Sequence, residues 1–560
     1  MASVSAHVAA SLSPHIRHVF GVMGNGNAHL LDAIERGGDV TFTAMRHEAG
    51  GVVAADAHYR AGGGIAAATA TYGAGFTNTL TALAEAAQAR VPLVLVVGDE
   101  PTSGPRPWDV DQIALASAVG ARTYTVGRAD AAATTAIAIE HALSFSVPVV
   151  LAIPYDVGSR DAGPIPSPIA TAAAGPLHPA SAFAAATVSE IAAALAAAQR
   201  PLLLAGRGAW LAGAGDALGR LADATGALTV TTALGRGLFP RTEYDLGVAG
   251  GFGADGAMEL VRQADVAVVF GASLNQFTMR FGELFAPGST IVQVDTAPAA
   301  THPHVGRFLR ADAAVAAEAI LAEVVAPAIT QDASPRGWRE SVDVAAAHRR
   351  ASGDDRAPDG RLDPRSAAIR IAELLPDDRV VVSDGGHFIG WANMYWPVAS
   401  PERMIMIGTA YQSIGLGFPS VPGAALARPE STVVLTSGDG GGLMALADLE
   451  SAVRVARGRG LAVIWNDRAY GAEIHLYGVQ GLAPEPMLIP EVDFAGLARA
   501  VGAEAVVVRT LDDLDVLARW RDQPVAERPF LLLDLRISAD VRAPYQEEIL
   551  RINTPAARRS

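Results

Sequence analysis

The chain contains no cysteine and no lysine. The first absence excludes disulfides, thiolate metal sites and a cysteine nucleophile. Because of the second, all 43 basic residues are arginine, which removes Schiff-base catalysis and the lysine of a P-loop. Carbanion chemistry beside a carbonyl would therefore need a bound cofactor or metal as its electron sink. Positive charge is short overall, the 58 acidic residues giving a formal net charge of −15. No nucleic acid and no anionic membrane is expected as a partner, since each needs a basic footprint. The alanine-rich stretch 186–198 is broken by polar residues, and residues 1–20 lack the charged-then-apolar pattern of a secretory signal. No membrane span is read, and a cytoplasmic protein is expected.

Apolar residues make up 50% of the 560 positions, enough for large cores and about three domains of ordinary size. From His18 to Pro154, apolar runs of strand length alternate with helical patterns. The runs are 19–22, 40–44, 65–71, 91–97 and 147–153, with helices expected over 28–36, 48–60 and 75–89. Such alternation predicts an α/β chain with doubly wound parallel sheets. The pattern breaks over 159–185, rich in Pro, Ala, Ser and Gly, and again over the polar stretch 330–362. Three doubly wound parallel-sheet domains are expected, at 1–160, 186–330 and 362–545.

The most informative stretch is Thr436–Gly471. An apolar run, 433–435, leads into Gly438-Asp439-Gly440, and a second, 461–465, leads into Asn466. The residues between are read as one helix on the spacing of Leu443, Leu446, Leu449, Val453 and Val455. In a parallel sheet both strand ends open on the edge where ligands bind, and a glycine turn entering a helix offers N–H groups to a phosphate. Asp439 would repel a diphosphate unless a divalent cation stood between them, and Asp439 with Asn466 supplies oxygens suited to Mg²⁺.

GDG, twenty-five residues and then Asn466 resembles the signature of the thiamine-diphosphate (ThDP) enzymes, in the group of acetolactate synthase, benzoylformate decarboxylase and benzaldehyde lyase. The resemblance implies ThDP and Mg²⁺, with Asp439, Asn466 and the carbonyl of Arg468 as metal ligands. The surrounding Gly438, Gly440, Gly441, Tyr470 and Gly471 would be cofactor contacts. Alone, Glu48 would be a helix-start carboxylate in a favourable dipole. Its setting, RHEAGGVVAADAHYRAGG, resembles the helix whose glutamate hydrogen-bonds the aminopyrimidine and so activates the cofactor. By the same resemblance the turn Asp384–Phe388 gives a second diphosphate contact at Gly386, His387 and Phe388. The stretch GTAYQSIGLG, 408–417, would place Gln412 at the cofactor and Ile414 as the wedge that bends it. His387 could equally be a packing residue. Asn25, Tyr72 and Gln112 fall where the family places polar active-site groups, though Asn25 and Gln112 also suit a turn or cap.

The reaction the resemblance implies makes or breaks the carbon–carbon bond next to the carbonyl of a 2-oxo acid or 2-hydroxy ketone through an enamine, with an aldehyde or ketone as partner. The tryptophan that acetolactate synthases carry after the metal-binding asparagine aligns near Leu476, and an arginine of their middle domain aligns near Phe277. The stretch from Asn466 to Glu504 also looks like benzoylformate decarboxylase and benzaldehyde lyase, with Tyr72, His475, Leu476 and Tyr477 suiting a less polar substrate. A carboligase or lyase is the leading expectation, and His475 joins its candidate catalytic residues. A 2-oxo acid decarboxylase is the alternative, and a catalytically silent regulatory subunit the alternative from another class. FAD in the middle domain is compatible with the resemblance but has no motif of its own. A homodimer, or a homotetramer built from it, is implied, because in this family the glutamate of one subunit faces the diphosphate domain of another.

Overall fold

The computed structural model describes residues 2–171, 175–179, 181–326 and 337–553. The expected end of the second domain at 330 and the first residues of the second linker lie outside them, as do 172–174 and 180 of the first. Three six-stranded sheets, all parallel, carry the chain. In the first the strands lie in the order Thr41–Ala44, His18–Gly21, Ala67–Ala70, Leu93–Asp99, Pro148–Pro154, Arg122–Thr125. The third repeats that 2-1-3-4-6-5 order with Met404–Met406, Arg379–Ser383, Thr432–Gly438, Gly460–Asn466, Leu531–Arg536 and Glu504–Val508. The middle sheet is wound differently, 3-2-1-4-5-6, from Asp245–Val248 to Arg307–Arg310. Central strands such as Val94–Val97 and Leu461–Ile464 are buried on both faces, the reason they read as unbroken apolar runs.

The first and third units pack on each other through two helices, Glu48–His58 and Gly417–Ala427, that run side by side in the same direction. A Cβ on Gly50 would lie 3.3 Å from Pro419, and one on Gly423 only 1.9 Å from the carbonyl oxygen of Ala54. Glycine is thus required at Gly423, where backbone meets backbone. One continuous apolar core joins Val52, Val53 and Ala57 to Phe418, Val421 and Ala425.

Several elements depart from the sequence reading. The expected helix after GDG is two, Asp439–Met444 and Leu449–Ala456. The chain turns between them so that the Asp448 carboxylate can accept from the Arg46 N–H (2.8 Å) and the Ser451 hydroxyl (2.8 Å), a tertiary contact that no spacing reveals. The helix over 75–89 is likewise divided, into Ala74–Thr77 and Leu80–Gln88. The first linker begins with a strand, Asp161–Gly163, paired antiparallel to Ala2–Ser3. The second contains short helices whose Val344 and Ala347 join the middle core. The last helix, Pro544–Asn553, runs past 545.

Candidate active site

In a doubly wound sheet the crevice opens where strand order reverses, outside the carboxyl ends of the first and third strands. In the third sheet those ends are Ser383 and Gly438, so Asp384–Phe388 and Asp439–Gly441 face each other across it. The Asp384 carboxylate holds the crevice together. Its Oδ1 accepts from the N–H groups of Gly385 (2.8 Å), Gly415 (3.0 Å) and Leu416 (3.2 Å), and its Oδ2 from the Ser437 hydroxyl (3.0 Å). Asp384 was not singled out in the sequence, yet it ties three strand-end loops together.

Asp439 is buried and accepts from the N–H groups of Gly440 and Arg468, both at 3.0 Å. Burial pushes its carboxyl up to about 6 against those bonds. Burial and then the charge of Asp439 push neighbouring Asp467 well above the usual range. Beside them Asn466 is fully buried, and its Nδ2 donates to Asp534 Oδ1 (3.0 Å) and the Val492 carbonyl (3.3 Å). Two acceptors on the nitrogen fix the amide's orientation. That leaves Asn466 Oδ1 buried without a partner among the described residues. Arg468 takes a left-handed backbone (φ 64°), and its carbonyl accepts from Ile489 N–H at 2.8 Å with one lone pair to spare. Two crowded carboxyls and an orphaned amide oxygen form a donor set that a hard divalent cation satisfies. Among the described residues no three His, Asp or Glu side chains gather into a metal site of their own.

Around this crevice the rings of Tyr470 and Phe388 pack against Gly440 and Gly438, where a Cβ would meet them at 2.7 and 2.9 Å. The Phe388 ring is packed in the core, so any contact it makes with a cofactor would come from its backbone in the turn. Gly386 has φ 140°, and His387 Nε2 accepts from the Ala543 N–H at 2.9 Å. His475 packs against His387 with the rings tilted by 54° and their centroids 4.6 Å apart, its Nε2 buried and unpartnered among the described residues. Burial, then Arg542, lowers His475 to about 4, and burial, then His475, lowers His387 to about 3, so both rings are neutral at pH 7. Gly471 is buried against His387. Gln412 (φ 63°) and Ile414 stand exposed on the loop that crosses the crevice.

On the first sheet the corresponding crevice lies between the ends Gly21 and Ala70. Glu48 is half-buried there, accepting from Asn78 Nδ2 at 3.0 Å, and among the described residues no hydrogen bond or ion pair joins it to the Asp439–Asn466 cluster. Exposed Asn25 reaches the Tyr72 hydroxyl at 3.5 Å, and the Arg106 guanidinium stacks on the Tyr72 ring at 4.0 Å. Arg106, another residue the motifs did not mark, is held by Asp109 three positions on, a spacing that was legible. Gln112 is buried with its amide fully engaged, accepting from Gly73 N–H (2.9 Å) and donating to Gly98 O and Asp99 Oδ1 (both 3.0 Å). It braces the turn, the cap-like alternative for that residue. Phe277 packs edge-on to Phe252 and Tyr545 at a domain contact.

Comparison with known proteins follows the same division of the chain. Three profiles match in order: Thiamine pyrophosphate enzyme, N-terminal TPP binding domain, over residues 2–118; its central domain over 188–322; and its C-terminal TPP binding domain over 384–525. A sulfoacetaldehyde acetyltransferase of Rhodobacter capsulatus is 28% identical over 53% of this chain, which spans about half that relative's length (54%). An acetolactate synthase large subunit of Parasynechococcus marenigrum is 27% identical over 88% of this chain and 80% of its own. A second sulfoacetaldehyde acetyltransferase, of Roseovarius nubinhibens, is 27% identical over 96% of this chain and 92% of its own.

Proposed function

The chain belongs to the thiamine pyrophosphate enzymes, in the group of the acetolactate synthases, and from that premise we propose that it is a Mg²⁺-dependent carboligase or lyase acting on a 2-oxo acid or 2-hydroxy ketone. The observation that carries the metal is the buried, partnerless Asn466 Oδ1 beside Asp439 and Asp467. Asp439, Asn466 and the Arg468 carbonyl would hold Mg²⁺, which would neutralise the charge of the diphosphate there. When bound, ThDP supplies the nucleophilic carbon and the electron sink for the carbonyl adduct. Glu48 holds and returns a proton at the aminopyrimidine ring nitrogen, and Ile414 orients the two rings. Tyr72, His475, Leu476 and Tyr477 line the space for the substrate. Buried, neutral His475 backs that space, and half-buried Leu476 with exposed Tyr477 favours a less polar group than pyruvate.

Glu48 and the Asp439 turn sit on separate sheets, and both edges expose large apolar side chains. They are Met23, Trp108 and Ile113 on one, Met444, Tyr477 and Leu488 on the other. Such surfaces support a homodimer in which each glutamate serves the partner's diphosphate domain. Transfer to an acceptor is favoured over simple decarboxylation because the relatives are named for acetolactate synthesis and for acetyl transfer. The test supplies ThDP and Mg²⁺ with a panel of 2-oxo acids, with and without aldehyde acceptors, and follows CO₂ and ligated product by NMR. Ligated product supports the proposal. CO₂ with free aldehyde alone makes the protein a decarboxylase, and no turnover of any substrate favours a silent subunit.

A further inference from the structure

The segment Gly408–Leu416, which carries Gln412 and Ile414, has a shape that two glycines permit and that Gln412 takes against its own local preference. Gly408 (φ 93°), Gln412 (φ 63°) and Gly415 (φ 81°) are all left-handed within eight residues. Its far end is held by Asp384 through Gly415 and Leu416. Its near end is held by a residue of the first unit: Glu85, buried in the helix Leu80–Gln88, accepts from the Tyr411 N–H through Oε2 (2.7 Å) and from the Ala410 N–H through Oε1 (3.5 Å). Glu85 is one of three buried charges. Arg60 donates to both oxygens of Asp56 (2.5 and 3.0 Å), to Glu85 Oε1 (3.1 Å) and to the Met406 carbonyl (2.8 Å) just before the segment. The Arg60 guanidinium thus faces two carboxylates, with the buried Arg207 close enough to Asp56 to be felt, and the loop amides complete the partners of Glu85. Asp56 and Arg60 lie at the far end of the helix that Glu48 begins.

We propose that Glu85 is a positioning residue: with Arg60 and Asp56 it fixes the 408–416 loop and so sets where Gln412 and Ile414 stand at the cofactor. The inference rests on the reading above that this loop faces ThDP. The consequence is that one helix carries Glu48 at its start and the brace of its own chain's cofactor loop at its end. In a dimer of the proposed kind these ends belong to two different active sites.

The test uses the full-length protein in three forms, wild type, Glu85→Gln and Asp439→Ala. Amide hydrogen exchange is followed on ThDP-free protein, and ThDP affinity is measured by calorimetry with Mg²⁺. Glu85→Gln removes the charge that the loop amides face while Arg60 keeps Asp56. Exchange over 409–414 is expected to rise at least tenfold, with strands 67–70 and 93–99 unchanged, and ThDP affinity to fall about tenfold. Should Glu85→Gln fail to fold, Glu85→Asp keeps the charge beside Arg60 but withdraws it from the loop, and the same loosening is expected. Unchanged exchange over 409–414, or a rise spread evenly through the first unit, overturns the inference. Loosening with unaltered ThDP affinity also overturns it as a positioning role. Undiminished ThDP binding in Asp439→Ala instead overturns the cofactor reading, leaving the brace to be judged by exchange alone.

Discussion

Asn466 is a buried amide whose nitrogen is doubly engaged and whose oxygen has no partner among the described residues, and Asp439 is a buried carboxyl raised to about 6. Each is unfavourable alone and both are relieved by one cation. Asp439→Ala is therefore expected to abolish Mg²⁺-dependent ThDP binding, while the melting temperature of the cofactor-free protein stays level or rises, because a crowded carboxylate has gone. Calorimetry and thermal unfolding measure the two effects. Glu48 acts in the proposal on the pyrimidine, away from diphosphate and metal, so its removal should separate binding from activation. Glu48→Gln should keep ThDP affinity within about tenfold, roughly 1.4 kcal/mol. Hydrogen–deuterium exchange at the thiazolium carbon should slow by about 10²–10⁴, the usual effect of losing a positioned proton-transfer group. Quenched-flow exchange read by NMR checks this, and wild-type exchange in the variant would return Glu48 to a helix-start carboxylate.

The paired helices Glu48–His58 and Gly417–Ala427 are the element on which both units depend. In an exposed helix Gly→Ala gains about 1 kcal/mol. At Gly423, where a new Cβ would lie 1.9 Å from Ala54 O, overpacking should reverse the sign and cost about 2–3 kcal/mol, seen as a lower melting temperature in Gly423→Ala. The same helix ends in buried His58, whose Nδ1–H donates to the Gly64 carbonyl (3.1 Å) and whose ring lies 5.0 Å from His18. Burial, then His18, lowers its pKa from 6.5 to about 4. The unfolded chain therefore takes up the proton first. Stability present above pH 6.5 is lost as pH falls toward 4, on the order of 2 kcal/mol by pH 5. The fall in melting temperature between pH 7 and 5 is expected to be smaller in His58→Gln than in the wild type.

For the whole molecule, the proposed dimer places Glu48 and Asp439 of one chain in different sites. Mixed dimers of Glu48→Gln and Asp439→Ala chains then contain one site with both residues intact and one with neither. Mixing the two inactive proteins under exchange conditions should restore part of the activity, at most about half that of a wild-type dimer for each mixed dimer. With subunit exchange verified by mass, no recovery would mean that each site is built within one chain.

Much of this was legible in the sequence because it is local. Strands buried on both faces must be apolar throughout, so the runs 91–97 and 147–153 fall within two residues of the strands Leu93–Asp99 and Pro148–Pro154. The GDG turn and Asn466 lie at the ends of two such strands, so their spacing was visible too. The edge strands 122–125, 307–310 and 404–406 were missed, being short and, in the first two, studded with arginine and polar residues. Only the tertiary structure decided which polar groups are engaged and which are free. Gln112 became a brace and Phe388 a core residue, Asp448 broke a helix to reach Arg46, and Asn466 Oδ1 was left alone. Glu85 reads as one polar residue in an alanine-rich helix, and its partners are 25 and about 325 residues away. A buried charge is defined by what surrounds it, and chain spacing carries no record of neighbours that distant.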